Sequence, residues 1–407
     1  MRHKTLKVAI TAAMLATAGA AFAQVGVIRP AYQFPSTPEG SGPASVQMGD
    51  TPVYFTPYLG LAVGRDDNLF LSNSNEKSST VYIVSPGFKL DARDPNKVLQ
   101  MSYQAQAGRY TESSDDDYID YTARTQFDTA FDPRNFLRLG YDYLRNHDPR
   151  GSTDRGVSTR PDRYSLSSPY ATYAFGAPGA AGRMEAYFSS SVKRYLNNRA
   201  TTIGSDRDTQ EFGGAFYWRV MPKTYLLAEA RRTDFSYRLQ TSPFNSREDR
   251  YYGGVTWEAT AATTGTIKVG RLEKRFDTDL PTFTGTSWEA TVTWAPRTYS
   301  KFDFYATRTT NESTGLGDFI LSDIAGVTWT HAWTSVLNTG VDLRYQKDQY
   351  KGFDRTDDIK SVGLKVGYKF RRWLTLGAEY THTTRDSNSN TFEYDKNLYL
   401  LTATGTL

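Results

Sequence analysis

Cysteine and histidine, the side chains most used as nucleophile, general base or transition-metal ligand, are absent or few in this chain, and the histidines are far apart. There is no cysteine, which excludes thiolate catalysis, a thiolate metal site and a disulfide framework. Of the four histidines, His3 lies in an apolar leader, His147 in a polar loop, His331 near a short turn and His382 high on a late strand. His147 and His331 belong at opposite ends of the strands described below, so they cannot share a triad or a metal. The run Asp115-Asp116-Asp117 has the chemistry to bind Ca²⁺ or to bridge an anionic lipid through divalent ions, but reads first as a solvated loop cluster. No catalytic set, metal site or cofactor is expected.

What remains is a dispersed chemistry of tyrosines and charges. Tyr54, Tyr58, Tyr110, Tyr187, Tyr217, Tyr225, Tyr252 and Tyr305 share the polar side of a strict alternation. With them fall Arg124, Asp128, Arg138, Asp142, Arg183, Glu185, Lys193, Arg219, Glu229 and Arg231. The same side continues through Glu258, Glu289, Lys301, Asp303, Asp342, Arg344, Lys365, Lys369 and Glu379. A tyrosine offers an apolar face to a sugar ring and a hydroxyl to bond it. Both signs of charge occur, which argues against an ion filter of one sign. Taken singly, each residue reads as part of a plain solvated wall; as a group they suit a carbohydrate path.

Such residues need a scaffold that turns every second side chain to water. Val362, Leu364, Val366, Tyr368 and Phe370 alternate with Ser361, Gly363, Lys365, Gly367 and Lys369. Trp288, Ala290, Val292 and Trp294 alternate with Glu289, Thr291 and Thr293, and Phe212, Phe216 and Trp218 with Glu211, Gly213 and Arg219. Successive strand residues point to opposite faces, so these runs are two-faced strands. No sustained apolar stripe of helical period occurs in the mature chain, so essentially no helix is expected.

The connections alternate in length. Short ones fall near 91–96, 132–135, 177–182, 221–223, 261–265, 296–298, 332–334 and 371–372. Longer polar ones fall near 65–79, 111–117, 148–163, 197–206, 238–247, 277–285, 311–317, 348–355 and 386–390. Eighteen strands result, with sixteen as the alternative count. This is the plan of an all-β, transmembrane, antiparallel up-and-down barrel, with short periplasmic turns and longer extracellular loops. A β-propeller would need four short strands per repeat, whereas these runs are roughly 10 to 14 residues each, as barrel strands are. Eighteen strands about 4.8 Å apart and tilted about 40° make a cylinder about 36 Å across, with about 25 Å clear before any loop folds inward. Mean hydropathy of −0.57 suits a barrel, because only alternate residues meet lipid. Trp257, Trp294, Trp329, Tyr368 and Trp373 read as interfacial girdles.

The chain opens with Arg2, Lys4 and Lys7, an apolar run from Val8 to Ala18, and Ala21-Phe22-Ala23 before Gln24. We expect a cleaved signal peptide over 1–23, a flexible periplasmic leader over 24–52 rich in proline, and the barrel over 53–407. Much of the formal charge of +4 resides in that signal, leaving no basic excess for nucleic acid. The expected partners are outer-membrane lipid and lipopolysaccharide, at the cell outer membrane. The last strand, with Tyr399, Leu401, Ala403 and Gly405 on one face, resembles a C-terminal barrel-assembly signal, though it finishes in Leu407 rather than Phe or Trp.

One stretch carries a family resemblance. Asp66-Asp67-Asn68-Leu69-Phe70, then Ser85-Pro86-Gly87-Phe88, Arg109-Tyr110 and Asp116-Asp117-Tyr118 resemble the EpsL-type outer-membrane β-barrels encoded with exopolysaccharide biosynthesis operons. The resemblance runs over nearly the whole mature chain, and its specific residues cluster in the first two hairpins. It implies a channel that helps move a secreted polysaccharide across the outer membrane, with periplasmic export components as partners. It transfers no catalytic residues. There is no Walker-type phosphate loop, so energy would come from upstream machinery. A general diffusion porin and a non-conducting scaffold or adhesin remain the alternatives.

Overall fold

The computed structural model describes residues 45–155, 158–260 and 262–406. The expected signal peptide, the leader up to residue 44 and Leu407 lie outside the described residues. A short strand, β1 (Val46–Gln47), precedes the barrel. The first hairpins are β2 (Val53–Asp66) with β3 (Ser79–Asp94), β4 (Lys97–Tyr110) with β5 (Tyr118–Asp132), and β6 (Asn135–Asp148) with β7 (Asp162–Phe175). Next come β8 (Gly182–Tyr195), β9 (Arg207–Met221), β10 (Thr224–Tyr237), β11 (Ser246–Thr260), β12 (Thr263–Phe276) and β13 (Phe283–Arg297). The ring is completed by β14 (Ser300–Asn311), β15 (Phe319–Ala332), β16 (Leu337–Lys351), β17 (Arg355–Arg371), β18 (Leu374–Ser387) and β19 (Tyr394–Thr406).

Each strand from β2 to β19 pairs antiparallel with its sequence neighbours, and β19 returns to pair with β2 from Leu398↔Asp66 to Thr406↔Tyr58. The result is a closed barrel of eighteen strands, with the small β1 laid on β2 through Val46↔Phe55. Val46 and Gln47 are therefore paired to the wall. Closure leaves no unpaired edge, the condition for a sheet to cross lipid. Among the described residues, helix is confined to α1 (Arg199–Thr202) and three 3-10 turns, all in the longer loops.

Burial follows the alternation. Val362, Leu364, Val366, Tyr368 and Phe370 are exposed on the outer wall. On the inner wall of the same barrel, Lys268, Glu289 and Asp128 are buried. This inversion, apolar outside and charged inside, fits a lipid surround and a polar lumen. Trp218, Trp257, Trp294, Trp329, Trp333 and Trp373 all lie toward the short-turn end, where amphipathic rings sit at headgroup level. A 14-residue strand such as β2, rising about 3.3 Å per residue at about 40° of tilt, climbs roughly 35 Å, against an apolar band about 25 Å tall. The long-loop ends therefore stand clear of the hydrocarbon. There the outer face turns charged: Arg232 and Arg275 share Asp249 at 2.6 and 3.0 Å, and Lys360 meets Asp386 at 3.0 Å.

Two expectations are corrected. The polar stretch 348–355 is mostly strand: β16 runs to Lys351, β17 starts at Arg355, and the turn between is short. Asp348, Arg355 and Asp357 are buried because they face a polar lumen, where a charge marks the inner wall as readily as a loop. His147 likewise belongs to the end of β6 rather than to a loop.

Candidate functional site

The inner wall is organised by paired charges and tyrosines. Lys268 on β12 reaches Glu229 on β10 and Glu289 on β13, both at 2.7 Å. Arg231 binds Glu289 at 2.9 Å and also pairs with Glu229. The Tyr187 hydroxyl on β8 donates to Glu229 at 2.8 Å, and that of Tyr252 lies 2.8 Å from Ser287 and donates to Glu289 at 3.2 Å. Two carboxylates and two cations balance, so this patch is a fixed polar surface without net charge. Pairing of this kind offsets the cost of removing charges from water and adds little stability beyond that. Tyr217 donates to Glu185 at 3.2 Å beside it.

The inward tyrosines are seated on glycines. A Cβ at Gly87 would fall 2.4 Å from the Tyr58 ring, one at Gly213 2.5 Å from the Tyr187 hydroxyl, and one at Gly326 2.4 Å from Tyr305. Only glycine lets a ring lie against the neighbouring strand at this distance. Tyr58 and Tyr305 are half-buried, whereas Tyr187 is buried against the charge network.

A cavity of about 1000 Å³ occupies the lumen, and Tyr110, Arg138, Asp142, Tyr187, Tyr217 and Glu229 line it. Glu185, Lys193 and Arg231 line it as well; the other sequence-selected residues have inward register but sit elsewhere. Tyr252 and Glu289 are buried in the charge network. Arg124 lies opposite Asp142, and Arg138 pairs with Asp128 at 2.8 Å. Tyr305, Asp342 and Arg344 occupy β14 and β16, where Thr328 donates to Asp342 at 2.7 Å and Arg344 to Gln346 at 2.6 Å. Lys365 faces Glu379 at 3.3 Å. Tyr54 and Tyr58 on β2, and Tyr225, Arg219 and Glu258, lie toward the short-turn end. Tyr118, Tyr164, Tyr170 and Asp348 also line the cavity, and their alternation could have found them.

The mouth is bridged by a loop. Residues 149–155 leave β6 and reach the strands half-way round the ring. There the Asp154 carboxylate accepts from the Tyr350 hydroxyl at 2.6 Å and from Thr314 at 3.2 Å, with Arg355 at 3.5 Å. At the near side Arg155 holds Asp162 at 2.7 Å and Ser205 at 2.9 Å. Arg150 pairs with Asp116 and lies 3.8 Å over the Phe70 ring. The wide clear bore of an unobstructed cylinder is thus reduced at the extracellular end.

The motif 66–70 stitches the seam of the barrel. Asp66 pairs with Lys396 at 2.7 Å, and the two oxygens of Asp67 accept from the backbone and side chain of Asn397 at 2.6 and 2.7 Å. Buried Asn68 donates to the carbonyls of Ser72 and Asp395 and accepts from the Ser72 amide. Phe70 then supports the crossing loop through Arg150. Close by, Ser79 and Thr111 donate to Glu112 and hold its carboxyl down to about 2.

Asp115, Asp116 and Asp117 each take a separate arginine: Arg160, Arg150 and Arg109 respectively. They do not converge, and no acidic or histidine cluster among the described residues is arranged to hold a metal. His147 lies 3.0 Å from Asp120 at the lumen edge, while His331 sits in the outer girdle between Trp329 and Trp333.

A closed antiparallel barrel with an apolar outer wall, an aromatic belt and a polar lumen is an outer-membrane barrel of the porin type. The chain belongs to the family described as "Putative beta-barrel porin 2", which matches residues 49–406. Among solved structures it resembles OprD of Pseudomonas aeruginosa, at 9% identity over 87% of this chain and 95% of that one, with a TM-score of 0.45. It also resembles a bacterial polysaccharide outer membrane secretin, at 10% identity over 86% and 97% with a TM-score of 0.36. The FrpB iron transporter of Neisseria meningitidis is 11% identical with a TM-score of 0.43; the match covers 81% of this chain and 62% of FrpB. No curated protein matches the sequence.

Proposed function

We propose that this barrel is the outer-membrane channel for a secreted polysaccharide, in keeping with its EpsL-type sequence features. The observation that carries the reading is the lumen wall: tyrosines interleaved with charges of both signs around a cavity of about 1000 Å³. Such a surface offers stacking and hydrogen bonds to a sugar chain at many weak sites, none strong enough to trap it. The crossing loop would yield to a polymer pushed from the periplasm, and periplasmic export components would supply the push. A general diffusion porin is the second reading, favoured by that same loop, since a narrowed mouth suits small solutes.

The test is secretion. A deletion strain complemented with wild type should release polymer, and one complemented with the Tyr58→Ala, Tyr187→Ala, Tyr217→Ala triple variant should release less. Because Tyr58 and Tyr187 cover glycines, the matching Phe variants serve as folded controls. Wild-type secretion by the deletion strain would remove the proposal and leave the porin reading.

A further inference from the structure

Outside the barrel, at its extracellular end, three arginines surround a shallow concavity that the lumen chemistry does not use. Arg109 ends β4, Arg145 stands near the end of β6 and Arg163 near the start of β7. Ile119 and Tyr121 of β5 complete its wall, in a space of about 250 Å³. The register brings them together: Tyr121 lies opposite Arg145, and Arg163 opposite His147. All three arginines are exposed.

Their charge is not balanced as elsewhere on this rim. Arg232, Arg247, Arg275 and Arg308 each meet a carboxylate of a neighbouring strand. At the concavity only Arg109 does, through Asp117 at 2.8 Å, and Asp117 also accepts from the Tyr110 amide. Among the described residues, no acidic side chain pairs with Arg145 or Arg163. Arg145 is level with Tyr121, and Ile119 with Arg163; below them the outer face is aromatic, with Tyr143 and Tyr103 on either side of Ala123.

We infer that this concavity binds a phosphate of lipid A from the surrounding lipopolysaccharide. The outer leaflet presents sugar phosphates at the level of Arg145 and Arg163, with acyl chains beneath them at the level of Tyr143 and Tyr103. Two guanidinium forks can each give paired hydrogen bonds to phosphate oxygens. They replace the divalent ions that otherwise hold neighbouring phosphates together. The stacked rings of Tyr121 and Tyr103 cover the first part of an acyl chain. The site is separate from the lumen and does not depend on what the lumen carries.

The experiment uses the full-length mature barrel in detergent, with bound lipid read by native mass spectrometry. Bisphosphorylated lipid A, dephosphorylated lipid A and cardiolipin are offered to the wild type at equal concentration. Bisphosphorylated lipid A should be retained at least about tenfold more than the other two, the ratio expected for losing one or two charged hydrogen bonds. The Arg145→Ala, Arg163→Ala double variant should lose that preference, and Arg232→Ala, Arg275→Ala should keep it. Folding is checked by heat-modifiable mobility; if the double variant does not fold, the wild-type comparison of the lipids decides alone. Equal retention of dephosphorylated lipid A or cardiolipin overturns the inference, as does an unchanged preference in the folded double variant.

Discussion

Replacing Asp154 by alanine should release the bridge across the mouth without unfolding the barrel. The carboxylate is the loop's principal hold on the far wall, through Tyr350 at 2.6 Å, Thr314 at 3.2 Å and Arg355 at 3.5 Å. A hydrogen bond to a charged group contributes about 1.5–3 kcal/mol, and removing one partner of a buried ion pair costs about 3–5 kcal/mol. Arg355 keeps its bond to Asp357 at 2.9 Å, so the lower end applies and we take about 3 kcal/mol for docking. That is a factor of about 100 in the ratio of docked to undocked loop. Arg150 and Arg155 still hold the near side, so the strands stay intact. Single-channel recordings in planar bilayers should show larger or longer openings than wild type. Hydrogen exchange over 149–161 should rise, while exchange in β6 and β7 should not. Lys360→Ala, which breaks an exposed pair worth about 0–1 kcal/mol, should change neither. A folded Asp154→Ala barrel with wild-type conductance and wild-type exchange in the loop would refute the bridging argument.

Asn68→Ala should weaken the seam between β2 and β19, because it leaves the Ser72 amide and two carbonyls without partners. At about 1–3 kcal/mol for each buried group, a loss of about 3 kcal/mol is expected in urea unfolding of the reconstituted barrel; an unchanged midpoint would contradict it. Val366→Arg should lower folded yield, since an arginine on the lipid face near mid-membrane costs about 2–4 kcal/mol. Lys365→Ala, one residue away and inside, should fold normally; equal yields would mean the inside and outside are reversed. Glu112, held at about 2, contributes stability that is full above the ordinary carboxylate range and is lost as pH falls through about 2. Its side-chain carbon shift should titrate near pH 2, and an ordinary midpoint would show that Ser79 and Thr111 do not donate to it.

The strands were legible because lipid and water impose period two on each of them. Val366 outside and Lys365 inside need no knowledge of a partner strand. The mouth was not legible. Residues 149–161 read as a polar rim loop, and only partners some 160 to 200 positions further on, Thr314, Tyr350 and Arg355, draw Asp154 across. Asp66 to Phe70 stood out as a family mark, but its task depends on Lys396 and Asn397 at the other end of the sequence. The run 348–355 was misread as a loop because charge ordinarily signals solvent. In a polar lumen, Asp348 and Arg355 are wall residues held by partners.

Polymer inside the channel is the central claim, and current through one barrel tests it. Purified wild type in a planar bilayer is recorded while the producing strain's own exopolysaccharide is added to the periplasmic side. The account predicts discrete blockades that lengthen with chain length and shorten in the Tyr58→Ala, Tyr187→Ala, Tyr217→Ala variant. A steady open current, unaffected by polymer of any length, would contradict it.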